Sequence, residues 1–346
     1  MGSRSRSLPV EVQHDVNGKV YNALPLCVVL GHKAHWWFRH RFVQMCGYTF
    51  DSQPDLRVFD YSDAFAYTGL LRAQCVDRPT GEQLDVTEFL LDCIDTGRYP
   101  ILMVDNMVLT GDLPPIREFL VYGYSDGGQT VHAVGFGADK QFSTLTFPAK
   151  KFEDAFASAL ARMRNGPEWE WAHYPLFTHV IQVLSAPPAD EAADPARIRG
   201  QLREYLGGTR PPDFDLHAGW WWYPRAVDIA SDAPVAFGIA TYDLLIEHLK
   251  ARVGRQGWHN YPIFHTYFEH KRLVLDRLRL LSAAGGEDPL VQAYERLVTE
   301  VGQARMQVLM CERKEKPLPA KLVERFEGFR AAETEILPAW LEREEH

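Results

Sequence analysis

The spacing of apolar residues changes near the middle of the chain, and this change limits the folds that the sequence can adopt. Up to about residue 156, short apolar runs alternate with Gly, Pro and Asp, as in a mixed fold of strands and helices. Beyond that point, apolar residues recur with helical spacing over long stretches. The sequence therefore predicts an α+β domain over residues 8–156 and a mainly helical domain over residues 157–346. A Pro-, Ala- and Asp-rich segment predicts an exposed loop near 185–195.

Composition and charge exclude several classes of protein. The chain has 346 residues, of which 46% are hydrophobic and 24% charged, an ordinary globular balance. Its net charge of −9 and its lack of a basic block argue against a nucleic-acid partner. No stretch approaches the ~20 apolar residues of a membrane span, and the N-terminal leader lacks the apolar core of a secretory signal. We therefore expect a cytoplasmic protein with no membrane partner.

Cysteine usage indicates reduced thiols. The five cysteines are an odd number and include no C-x-x-C pair, which argues against a disulfide framework and a Cys-based zinc site. No nucleotide, flavin or metal motif is present, so we predict neither a cofactor nor a metal. All five thiols are expected to be free, and one of them is a candidate nucleophile.

Local patterns predict the elements around that thiol. Pro25 fits the first turn of a helix, which places Cys27 at the start of a long helix that continues through Cys46 and ends at Gly47. Residues 101–105 predict a buried strand that ends at Asp105. Residues 119–124 and 130–136 predict an antiparallel hairpin. In the second half, three amphipathic stripes predict helices of an antiparallel bundle.

This order of elements resembles the papain-like cysteine-peptidase core. It is most similar to the cysteine-protease homologues of nonribosomal peptide and other natural-product clusters, a group that includes the butirosin γ-glutamyl acyltransferase and the closthioamide amide synthase. The resemblance rests on a cysteine at the start of a helix, a strand with Val104-Asp105 and the hairpin sequence Phe-Leu-Val-Tyr-Gly-Tyr at 119–124. It implies an enzyme that takes an acyl group from a carrier-protein thioester onto cysteine and transfers it to an amine.

The resemblance assigns catalytic roles to several residues. Cys27 matches the nucleophile, and Asn22 lies where the family keeps an oxyanion-hole donor. Arg117 stands where the family has its histidine base, and Gly135 stands near the position of the orienting Asp or Asn. Because arginine cannot act as a base at neutral pH, His132 is the first candidate base and His32 the second. A structural histidine is the alternative interpretation of His132.

The candidate substrate-binding residues are Arg117, Asp105 and the aromatic run Trp220, Trp221 and Trp222. The aromatic run is interpreted either as a packing plug or as the wall of a cleft. We thus predict thiol-dependent acyl transfer or amide-bond formation, with an acyl- or peptidyl-carrier protein and a small-molecule or peptide substrate as partners. The alternative is a catalytically altered peptidase-like scaffold, acting as a binding module, cyclase or hydrolase without the usual base.

Overall fold

The chain folds as a mixed α+β protein that divides into two compact units. The computed structural model describes residues 4–50, 53–59, 71, 73–112, 115–165, 179–185, 191–209, 235–283 and 285–343. The first unit comprises Met1–His35, Tyr67–Glu191 and His217–Asp228, and the second comprises Trp36–Ala66, Ala192–Leu216 and Ile229–His346. The division therefore differs from the single predicted boundary near residue 156, because Trp36–Ala66 belongs with the helical unit.

The first unit is built on a seven-stranded antiparallel sheet. Its strands are β1 (Arg6–Ser7), β4 (Ala73–Asp77), β5 (Arg98–Asp105), β6 (Ile116–Ser125), β7 (Thr130–Phe136), β8 (Phe142–Pro148) and β9 (His179–Ser185). The spatial order is β4-β9-β5-β6-β7-β8, and β1 pairs with β6. The described helices are α1 (Val20–Gly31), α3 (Arg78–Gly81), α4 (Val86–Asp95), α5 (Asn106–Leu109) and α6 (Ala149–Asn165).

The predicted hairpin is confirmed in this sheet. A 3-10 turn at Asp126–Gly128 joins β6 to β7, and Gly127 and Gly128 both adopt positive φ angles there. Because glycine reaches such angles with the least strain, the glycine pair favours a turn at this position, and Asp126 beside it also has a positive φ. The strand that ends at Asp105 is also confirmed, and it is buried along nearly its whole length.

The second unit combines a small sheet with helices. Its strands β2 (Gln44–Phe50), β3 (Gln53–Phe59) and β10 (Val235–Phe237) form an antiparallel sheet in the order β10-β2-β3. Its described helices are α2 (His35–Arg39, at the boundary), α7 (Pro195–Gly207), α8 (Thr241–Arg252), α9 (Tyr261–Leu281), α10 (Pro289–Arg313) and α11 (Lys321–Arg343). The three predicted amphipathic helices correspond to α9, α10 and α11, which pack consecutively. None of the helices that the structure describes is both long and apolar enough to cross a bilayer.

The predicted helix from Pro25 to Cys46 is wrong. Helix α1 begins earlier, at Val20, and ends at Gly31, so Pro25 lies inside the helix. Cys46 and Gly47 belong to β2, a strand whose inner residues are buried on both faces. An apolar run that is buried on both faces has no period that separates strand from helix, which explains the error. Of the predicted loop, residues 191–194 are described; they precede α7 and are mostly exposed.

Candidate functional site

The candidate site lies where α1 packs against β6 and β7 of the first unit. Cys27 is the eighth residue of α1, about two turns from its start, and its side chain is 0% exposed. Burial raises the pKa of the Cys27 thiol to about 12. A nucleophilic cysteine needs a low pKa and access to substrate. In this geometry Cys27 has neither property.

The start of α1 carries no thiol. Lys19 is its N-cap residue, and Asn17 and Gly18 precede it. A helix N-terminus stabilises a thiolate only within about the first turn, so Cys27 gains little from the helix dipole. The other cysteines are also away from helix starts: Cys46 lies in β2, Cys75 in β4, Cys93 near the end of α4 and Cys311 near the end of α10. All five cysteines are free, as predicted.

Asn22 lies in the first turn of α1 rather than before it. Residues five apart on an α-helix project about 140° from each other around its axis. The side chains of Asn22 and Cys27 are therefore directed to different sides of α1. This arrangement does not match an oxyanion donor beside a nucleophile.

His132 lies on β7 and is half-buried. Its ring centroid is 6.1 Å from that of Tyr122, and its Nδ1 atom is 3.5 Å from Thr146 Oγ1. No hydrogen bond joins an imidazole to Cys27 among the described residues. His132 thus contacts residues of the sheet and is not paired with the predicted nucleophile.

His32, the second candidate base, follows α1 directly and has another partner. Its Nε2 atom is 2.8 Å from Tyr99 Oη, which itself donates a hydrogen bond to the carbonyl oxygen of Pro9. Because the tyrosine proton is already used, His32 Nε2–H is the donor between them. Burial lowers the pKa of His32, which favours the neutral imidazole. The contact fixes the end of α1 on the sheet.

Arg117 occupies the expected position of the base in β6. Its guanidinium carbon lies 5.5 Å from the centroid of the Phe136 ring, a cation–π distance. Its Nε atom is buried and has no hydrogen-bond acceptor, and Arg117 forms no ion pair within the part of the chain that the structure describes. A half-buried guanidinium without a carboxylate partner is suited to bind an anionic group.

Gly135 stands where the resemblance predicts an orienting carboxylate or amide. A Cβ atom added to Gly135 would lie 2.5 Å from Cδ1 of the Phe119 ring. No side chain fits at this position unless Phe119 moves. The packing of Phe119 therefore excludes an orienting Asp or Asn at residue 135.

Asp105 is fully buried and its carboxylate is satisfied within the protein. One oxygen accepts the backbone N–H groups of Met107 and Val108, which makes Asp105 the N-cap of α5. The other accepts hydrogen bonds from Ser158 Oγ at 2.6 Å and Arg162 Nε at 2.5 Å. These contacts give Asp105 a structural role, since no part of its carboxylate is exposed to a substrate.

The sequence analysis did not identify Glu118 as a functional candidate. Burial raises its pKa above the ordinary range, and the neighbouring Arg117 partly opposes this shift. Leu120 pairs with Val134 across β6 and β7, and residues two apart in a strand share a face. Glu118 and His132 therefore lie on the same face of the sheet. The alternation of side chains along β6 and β7 is the sequence feature that could have indicated this shared face.

The second unit encloses another cluster of titratable groups. Lys271 Nζ donates to both carboxylate oxygens of Glu333, at 2.7 and 3.0 Å, and to Tyr205 Oη at 2.5 Å. The hydroxyls of Tyr242 and Tyr294 donate to the same carboxylate. All five side chains are fully buried, which closes the cluster to substrates. We interpret it as a structural network.

Two further expectations have a limited outcome. Trp220, Trp221 and Trp222 lie outside the described residues. Among the described residues, no group of three or more His, Cys, Asp or Glu side chains is placed to hold a metal ion.

No protein-family profile matches the chain, and no curated protein is significantly similar to it in sequence.

Proposed function

We propose that this chain is a peptidase-like scaffold that binds an acyl or peptide intermediate of natural-product assembly without forming a thioester on Cys27. The observation that carries the proposal is the position of Cys27, fully buried two turns inside α1 with its pKa raised to about 12. Covalent transfer needs an accessible thiolate and a base beside it. Non-covalent binding by such a scaffold needs neither an accessible thiolate nor a base.

Arg117 is the proposed anchor of the ligand. Its guanidinium is half-buried and unpaired in the described part of the chain, so an anionic group would gain charge-assisted hydrogen bonds there. Glu118 follows it in β6 and faces the other side of the strand. The proposed ligand is therefore a carrier-bound acyl or peptide group that carries a carboxylate.

The test compares two thioesters that differ in charge. Succinyl- and butyryl-N-acetylcysteamine are titrated into the protein by calorimetry, and intact mass is recorded after incubation. We expect binding of the succinyl compound, about tenfold weaker binding in Arg117→Gln, and no acyl adduct. Arg164→Gln is the matched control, because Arg164 is an exposed arginine of the same unit that pairs with Glu82.

Two results would contradict the proposal. An acyl adduct that disappears in Cys27→Ala would identify a transferase and restore Cys27 as the nucleophile. Equal affinity for both thioesters in the wild type and in Arg117→Gln would remove Arg117 as the anchor.

A further inference from the structure

Two segments of the second unit run side by side at one end of α8 and α10. Val253 and Leu318 form a parallel β-bridge, and Gly254 N–H donates to the Leu318 carbonyl at 3.2 Å. Further along, His259 Nε2 lies 2.8 Å from the carbonyl oxygen of Lys316. These contacts bring together residues 252–258 and 313–316. We call their side chains the basic surface, defined as Arg252, Arg255, Trp258, Arg313, Lys314 and Lys316.

The cations of the basic surface are mostly without partners. Four of them form no ion pair among the described residues: Arg255, Arg313, Lys314 and Lys316. All four are exposed. Some exposed cations elsewhere on this unit are paired, as Lys250 is with Glu247 and Arg279 with Glu295, whereas Arg296 and Lys321 form no ion pair among the described residues. What distinguishes the basic surface is that four unpaired cations lie in two adjoining segments, on a chain whose net charge is −9.

The carboxylates nearby do not neutralise this surface. Glu312 Oε2 accepts hydrogen bonds from the backbone N–H groups of His259, at 2.7 Å, and Tyr261, at 3.2 Å. This oxygen therefore binds the backbone at the start of α9. Glu315 is exposed and lies between Lys314 and Lys316. The five cations thus outnumber the two carboxylates in this part of the sequence.

Trp258 lies within the basic surface and is 49% exposed. It is the most exposed large hydrophobic side chain in the described part of the chain. The guanidinium of Arg252 is 5.9 Å from the centroid of its ring. Trp and Arg are the residue types most enriched among the residues that contribute most to protein–protein binding. An exposed tryptophan among unpaired cations is the pattern of an interaction surface.

Helix capping accounts for only part of this arrangement. Arg252 and Arg313 end α8 and α10, where cations interact favourably with the helix dipole. Arg255 and Lys316 lie beyond the helix ends, and the dipole effect does not require an exposed indole. A role in stabilising helix ends therefore leaves Trp258, Arg255 and Lys316 without explanation.

We propose that the basic surface binds an acidic protein surface that presents carboxylates around an apolar contact for Trp258. Charge complementarity provides steering and specificity, and burial of the indole provides affinity. An extended polyanion such as nucleic acid fits less well, because it would also meet the negative charge of the rest of the chain. This surface involves neither Arg117 nor Cys27, so failure of either proposal leaves the other intact.

The test uses a fluorescein-labelled amphipathic helical peptide of about 20 residues, with Glu on its polar face and Leu on its apolar face. Binding is measured by fluorescence anisotropy with the full chain. We expect affinity that falls with added salt, about tenfold weaker binding in Trp258→Ala, and about tenfold weaker binding in the double variant Lys314→Glu/Lys316→Glu. The control is Lys150→Glu/Lys151→Glu, an exposed basic pair on α6 of the first unit, which should bind as the wild type does.

Three results would overturn this inference. Equal binding of a peptide with Gln in place of Glu would remove the charge argument. Unchanged binding in Trp258→Ala would remove the anchor. Tighter binding of an oligothymidylate of similar length than of the acidic peptide would identify a polyanion site instead. Because the altered side chains are exposed, the circular dichroism spectrum of each variant should match that of the wild type. If charge reversal disturbs the fold, the double variant Lys314→Gln/Lys316→Gln replaces it in the binding measurement.

Discussion

At the scale of single residues, the surroundings of a cysteine decide its reactivity more than its place in a motif does. Cys27 is fully buried and the pKa of its thiol is raised to about 12; Cys75 is exposed on β4, although partial burial raises the pKa of its thiol as well. We expect maleimide to label Cys75 in the native protein and to leave Cys27 unmodified, because modification requires both access and thiolate. Peptide mass mapping after brief labelling identifies the modified residues.

The same experiment in denaturant provides the control. All five thiols should then react, because none is held in a disulfide. Rapid labelling of Cys27 in the native protein, before Cys75, would contradict the buried environment of Cys27. That outcome would also favour the transferase.

Gly135 illustrates how one neighbour excludes a side chain. A Cβ at this position would collide with the Phe119 ring, so we expect Gly135→Ala to lower the free energy of unfolding by about 1–3 kcal/mol. Urea titration measures the change. The control is the same substitution in a Phe119→Leu background, where the smaller side chain leaves space. If Gly135→Ala costs as much in that background as in the wild type, the collision with Phe119 is not its cause.

At the scale of elements, the sequence predicted best those elements whose ends carry a local signal. Gly127 and Gly128 mark the turn of the predicted hairpin, where both have positive φ angles. The start of α1 has no such signal, since Lys19 makes no side-chain cap. Nearly all of α1 is buried, so its apolar residues do not mark one face either. The position of Cys27 within the helix could not be predicted for these reasons.

The candidate site was predictable only in part for a related reason. The hairpin that carries His132 could be predicted from its turn, although the predicted strand over residues 119–124 began after Arg117, which lies in β6. Whether Arg117 has a partner, and whether Asp105 is satisfied by Ser158 and Arg162, depends on side chains far apart in the sequence. Such contacts follow from tertiary packing and leave no local pattern.

The buried ion pair between Lys271 and Glu333 connects α9 to α11, and tyrosines of α7, α8 and α10 complete it. We expect Glu333→Gln to lower the free energy of unfolding by about 3–5 kcal/mol, because it leaves the Lys271 ammonium buried without a counter-charge. Adding Lys271→Met should recover part of this loss, since the double variant buries no charge. Chemical denaturation of the two variants measures both effects.

A surface pair in the same unit provides the comparison. Arg279 and Glu295 are both nearly half exposed, so Glu295→Gln should change stability by less than about 1 kcal/mol. A double variant that is less stable than Glu333→Gln alone would contradict the account of an unpaired buried ammonium. The hydroxyl groups around Glu333 would then be the main source of the loss.

At the scale of the whole molecule, the two units are discontinuous in sequence. The boundary between His35 and Trp36 falls within α2, and the chain returns to the first unit at Tyr67. Apolar periodicity reports on single elements and carries no information about which unit an element joins. The sequence therefore predicted the α+β class and the three helices α9, α10 and α11, but it placed Trp36–Ala66 in the first domain.

Two histidines of α9, the partly buried His265 and the fully buried His270, predict how the stability of the molecule depends on pH. Burial, reinforced by Arg305 and Arg272, lowers the pKa of His265 to about 4, and burial also lowers that of His270. Between about pH 6.5 and pH 4 the unfolded chain therefore binds protons that the folded chain does not, so stability is complete above this range and falls as the pH is lowered through it. When the pH is lowered from about 7 to about 5, the free energy of unfolding should fall by about 1–2 kcal/mol less in His265→Gln than in the wild type. Urea titration at each pH measures this difference. Substitution by Gln of His14, an exposed histidine of the first unit, is the control. A wild-type and a His265→Gln protein with the same pH dependence would exclude His265 as a source of acid sensitivity.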